Sequence, residues 1–101
     1  MRILVFFDLP TTTATHRRSY SQFRKHLIKS GFMMMQESVY CKLALNQTAA
    51  DAIINNLEKN KPSEGLIEVL TITEKQFSKI QRIVGDYHSA VLDTTERIIV
   101  L

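Results

Sequence analysis

Cysteine occurs once in the 101 residues, at Cys41, so no internal disulfide can form and a disulfide-stapled secreted scaffold is excluded. The 3 histidines stand at no ligand spacing from it, and no structural zinc site is expected. Glycine and proline number only 3 and 2, too few for a collagen-like or low-complexity chain. No apolar run nears the roughly 18 residues of a membrane helix. The start Met1-Arg2-Ile3-Leu4-Val5-Phe6-Phe7 meets Asp8 too soon for a signal peptide, so a cytoplasmic protein is expected. With 45% hydrophobic and 23% charged residues, the chain has the composition of an ordinary globule. Its length suits one core, and residues 1–101 read as a single domain.

Acidic side chains are also missing from one long stretch. Between Thr12 and Ser30 there are five basic residues, Arg17, Arg18, Arg24, Lys25 and Lys29, and no Asp or Glu. Residues 1–45 carry seven basic and two acidic groups, whereas residues 46–101 carry six and eight. The net charge of +3 is therefore gathered at one end, which points to a polyanionic partner such as nucleic acid. The competing reading of the same stretch is a solvated helix face.

Ile3 to Phe7 is an unbroken apolar run rich in β-branched and aromatic residues, which predicts a central strand buried on both faces. Pro10 and the threonines Thr11, Thr12 and Thr13 form a turn with N-cap candidates for a helix reaching Ser30. Its apolar stripe is Tyr20, Phe23 and Leu27, and Gly31 closes it. Residues 32–44 read as two short strands or one bent strand. Asn46-Gln47-Thr48 caps a second helix with apolar Ala49, Ile53 and Leu57, stopped by Lys61-Pro62-Ser63-Glu64-Gly65. Leu66 to Ile72 is the next strand, and Thr73-Glu74-Lys75-Gln76 has capping-box spacing, with a helical turn over 77–80. Ile83-Val84 suggests a short strand, and Glu96-Arg97-Ile98-Ile99-Val100-Leu101 is a β-prone tail. The order predicts an α+β, ferredoxin-like βαββαβ sandwich with both helices on one face of an antiparallel sheet. A homodimer is expected, with the tail residues Arg97, Ile98, Ile99, Val100 and Leu101 swapped onto a partner's sheet edge as an extra strand.

Asp8 follows five apolar residues, so desolvation is expected to act against its charge. Two readings stay open. It accepts hydrogen bonds from the next turn's N–H groups, or it is half of a site in which two copies meet around Mg²⁺ and activate water against a phosphodiester. On the first helix, Arg18, Gln22, Lys25 and Lys29 form a stripe opposite the apolar face, flanked by Arg17 and Arg24. Such a ridge tracks phosphates, without reading bases. His16, His26 and His88 read as surface histidines, Met33, Met34 and Met35 as adaptable packing, Cys41 as a small buried hydrophobe, and Ser38 has no His-Asp context for a nucleophile.

The apolar strand ending in Asp8-Leu9-Pro10, Arg17-Arg18, Gly31-Phe32, Gln36-Glu37-Ser38-Val39-Tyr40, Thr73-Glu74-Lys75-Gln76-Phe77 and the Glu-Arg-Ile-Ile-Val-Leu tail occur in this order. Together they resemble the small CRISPR-associated adaptation protein, in the version found in type II systems. The resemblance implies a ferredoxin-like homodimer acting in spacer acquisition. The dimer so implied would bridge two CRISPR integrase dimers, in a heterohexamer-like complex, and hold double-stranded prespacer DNA. It further implies Mg²⁺-dependent endonuclease activity on RNA or DNA, with the catalytic and metal-binding aspartate matching Asp8. Many members have a tyrosine before that aspartate and a second acid soon after it; Phe7 and Leu9-Pro10-Thr11 stand there instead. A free-standing metal-dependent ribonuclease of the toxin-interferase type, on single-stranded RNA, is the alternative.

Overall fold

Alternation of side chains about a pleated strand organises the molecule around the first apolar run. The computed structural model describes residues 1–85. Strand β1 (Arg2–Asp8) leads through a turn into helix α1 (Ala14–Lys29), then strands β2 (Met33–Gln36) and β3 (Val39–Leu43), helix α2 (Gln47–Lys59), strand β4 (Leu66–Ile72) and a short helix α3 (Glu74–Phe77). The sheet runs β2-β3-β1-β4, antiparallel at every pairing. That is the ferredoxin-like βαββαβ order, with β1 paired on both edges as expected.

Ile3, Val5 and Phe7 point to the helices and are buried with Phe23 and Leu27 of α1 and Ala50 and Leu57 of α2. The Phe7 ring lies 5.9, 5.4 and 5.6 Å from the rings of Tyr20, Phe23 and Tyr40, edge or tilted contacts that aromatic quadrupoles favour. Among the described residues, helices cover one face only. Leu4 is buried on the other, but Phe6 is 37% exposed and Asp8 is exposed, so burial of β1 on both faces does not hold along its whole length. Leu43, Leu66 and Leu70, exposed by 60%, 57% and 50%, continue this open apolar face, and β4 is an edge strand among the described residues.

The helix ends follow their capping residues. Thr13 accepts from the His16 N–H and Asn46 from the Ala49 N–H, at 3.0 and 2.8 Å. After α1, Phe32 N–H donates to the Leu27 carbonyl and Gly31 N–H to Ile28, a Schellman turn with Gly31 at φ +95°. Of the two readings of residues 32–44, the structure takes the two short strands, paired antiparallel with a bulge between Met34 and Gln36. The Thr73/Gln76 capping box forms and starts the helix at Glu74, one turn before the expected 77–80, because a box fixes the first turn, not the last. Arg2 anchors that helix through Glu74, with its Nε 3.1 Å from both carboxylate oxygens, and lies 4.3 Å over the Phe77 ring. Ile83 and Val84 are not a strand: they lie in a bend, 87% and 89% exposed, with no ladder partner among the described residues. The tail of residues 96–101, with Arg97, Ile98, Ile99, Val100 and Leu101, lies outside the described residues, as does His88.

Candidate nucleic-acid interface and acidic site

Helix α1 divides its cations into two kinds. Arg17 donates from Nη1 to the carbonyls of Thr11 and Thr12, at 3.2 and 3.3 Å, bracing the turn after β1. Arg24 donates from Nε to the Tyr40 hydroxyl at 2.8 Å, an interaction that raises its already high pKa further. Arg18, Gln22, Lys25 and Lys29 are exposed. None of the four has a hydrogen bond or ion pair to any described residue. They lie on the stripe that 100° per residue predicts, away from Phe23 and Leu27. The missing acids explain this freedom, since no Asp or Glu lies within α1 to form an i,i+4 pair.

Asp8 sits at the last position of β1, opposite Leu66 of β4. Strand parity sends its side chain to the open face with Phe6, where it is exposed, so the expected desolvation of its carboxylate is corrected. Nor does the carboxylate accept from the following turn, because Asp8 makes no side-chain hydrogen bond to any described residue. Instead it shares a shallow cleft of about 230 Å³ with Phe6, Ser38, Val39, Leu66 and Glu68. Phe6 faces Glu68 in the register, which makes Asp8 and Glu68 diagonal neighbours, with Cα atoms roughly 7–8 Å apart in such pairs. Glu68 is the acid that sequence reading missed. Its place in the alternation Leu66-Ile67-Glu68-Val69-Leu70 was the available signal for its face, but the register that sets it diagonal to Asp8 was not legible.

Among the described residues no three His, Cys, Asp or Glu gather together. The donor set at Asp8, two carboxylates on an open face, suits a hard cation that keeps most of its waters, as Mg²⁺ does, and does not suit zinc. Cys41 is buried 4.0 Å from the Arg2 Nη1, and burial pushes its thiol pKa up despite that guanidinium. His16 is half-buried and bridges Thr12 and Glu64, each at 3.1 Å. His26 lies 3.5 Å from the Ser30 hydroxyl.

The family model described as CRISPR associated protein Cas2 matches residues 1–80. The chain belongs to the Cas2 family. It is 57% identical over 101 residues to a CRISPR-associated endoribonuclease Cas2 of Treponema denticola, covering 100% of both chains. It is 43% identical to one of Streptococcus mutans, covering 100% of this chain and 93% of that one. A crystal structure of Streptococcus pyogenes Cas2 at pH 6.5 superposes with a TM-score of 0.62 at 16% identity, over 83% of this chain and 100% of that chain. That match bears on the fold alone, and it agrees with the ferredoxin-like order. No helix among the described residues of this Cas2-family chain is long and apolar enough to cross a membrane.

Proposed function

We propose that the protein is a dimeric subunit of CRISPR spacer acquisition that bridges two integrase dimers and holds prespacer duplex DNA on its α1 faces. The observation that carries this reading is the unpaired, acid-free stripe of Arg18, Lys25 and Lys29 with Gln22, braced by Arg17 and Arg24. The stripe offers positive charge to phosphates and no side-chain array to read bases, so contacts are sequence-independent. The apolar face and the β4 edge that the described residues leave uncovered favour a second copy, with residues 97–101 pairing at the partner's edge.

Asp8, with Glu68 beside it, would hold Mg²⁺, and the Asp8 of a second copy would add a further carboxylate. A bound Mg²⁺ supplies a Lewis acid and a water of lowered pKa for phosphodiester hydrolysis. The chain's own part is to hold two carboxylates on a sheet whose β1 is paired on both sides, and to leave the cleft open to a phosphate backbone. The joining of DNA belongs to the integrase.

Mixing the protein with its integrase and a DNA duplex, and weighing the product by mass photometry, tests the bridging role. A ternary assembly is expected, and integrase and duplex that ignore the protein overturn the role. A second reading, a free-standing metal-dependent ribonuclease, is favoured by the exposed Asp8 carboxylate and by the endoribonuclease names of the relatives. RNA hydrolysis by the isolated protein, dependent on Mg²⁺ and lost in Asp8→Ala, supports it.

A further inference from the structure

A cleft of about 200 Å³ opens between α1 and the turn that follows α2. Ser19, Gln22 and His26 line it from α1, and Asn60 and Lys61 from the turn, beside the buried ring of Phe23. No carboxylate among the described residues lines it. Asn60 and His26 are partly engaged, Asn60 donating to the Asn56 carbonyl at 2.8 Å and His26 lying near Ser30. The Ser19 hydroxyl, the Gln22 amide and the Lys61 ammonium make no hydrogen bond or ion pair to any described residue. Three side chains with unengaged donors thus border one small space, Lys61 standing also at the rim of the neighbouring cleft with Glu58 and Glu64. Gln22 also belongs to the exposed stripe of α1, so the cleft is continuous with that stripe.

We propose that this cleft seats one phosphodiester group of a bound polynucleotide, with Lys61 and Gln22 as its contacts. The inference rests on the polynucleotide reading of α1 and deepens it: the backbone crosses from α1 to the α2–β4 turn instead of following α1 alone. Lys59 provides the control. It carries the same charge in the last turn of α2 but does not line the cleft.

Anisotropy of labelled duplex DNA, and separately of labelled single-stranded RNA, across a KCl series tests the seat in the full-length protein, with circular dichroism to verify folding. On duplex, Lys61→Ala flattens the slope of log K against log salt by about 0.9 and weakens binding about eightfold near 0.1 M salt. Lys59→Ala leaves the slope alone. Gln22→Ala weakens binding at unchanged slope, because it removes a neutral donor. If the Lys61 effect is confined to the RNA arm, at about 0.7 in slope, the seat takes a single-stranded backbone. If Lys61→Ala behaves like Lys59→Ala in both arms while Arg18→Ala flattens the slope, the cleft is not a seat and the α1 reading stands. If Arg18→Ala changes nothing either, both readings fall.

Discussion

Replacing Arg18, Lys25 and Lys29 together by alanine removes the charges of α1 that no described residue neutralises, and leaves Arg17 and Arg24 on their partners. From position 18 to 29 the helix axis rises about 17 Å at about 1.5 Å per residue. One strand of duplex presents a phosphate about every 3.4 Å, so about five phosphates lie within that span and each cation can meet its own. Three lost contacts at about 0.9 each flatten the salt slope by about 2.7, and duplex affinity near 0.1 M salt falls by about 500-fold. The loss is uniform across sequences, because no base contact is removed. Equilibrium anisotropy on two unrelated duplexes over a KCl series reads both quantities. A slope within a few tenths of wild type, or a loss confined to one of the two duplexes, refutes the phosphate-tracking account of α1. The fold itself is expected to survive, since all three side chains are exposed.

Phe7→Ala removes the ring that Tyr20, Phe23 and Tyr40 surround, and chemical denaturation is expected to show a loss of about 3–5 kcal/mol; a loss under 1 kcal/mol contradicts the packing described. Gly65 holds φ at +109°, and a Cβ there meets Leu9 Cδ2 at 2.5 Å and the Asp8 carbonyl at 3.0 Å. Gly65→Ala therefore lowers stability by more than about 1 kcal/mol, read as a drop in midpoint. The Cys41 thiol, pushed up from its ordinary pKa of 9.0 by burial, reacts with iodoacetamide more slowly than the unfolded chain. Because the folded thiol holds its proton to higher pH, this group's contribution to stability is intact below its ordinary pKa and is lost as pH rises through the raised one. Equal alkylation rates for folded and urea-unfolded protein contradict it.

Much of this architecture was legible because local chemistry agreed with the global fold. The threonine turn of Thr11, Thr12 and Thr13 and the Asn46-Gln47-Thr48 segment as capping regions, Gly31 as the residue that closes α1, and Phe23 and Leu27 on one helical stripe are short-range features, and the ferredoxin-like order followed from them. The surroundings of Asp8 were not legible in the same way. Five apolar residues before it suggest burial on both faces, yet with helices on one face only, parity leaves Phe6 and Asp8 open to solvent. Glu68 lies 60 positions along the chain from Asp8, and only the pairing of β4 with β1 makes them neighbours. The engagement of Arg24 depends likewise on a contact with another element: nothing around Arg24 in sequence announces the Tyr40 hydroxyl on β3, and nothing around Lys61 announces α1.

Spacer integration by the complex reconstituted with integrase and a prespacer duplex addresses the central proposal most directly, comparing wild type, Asp8→Ala and the protein with Arg18, Lys25 and Lys29 all changed to Glu. A DNA-bridging subunit predicts that integration survives Asp8→Ala and is abolished by the charge reversal. Integration at the wild-type rate by the charge-reversed protein contradicts it.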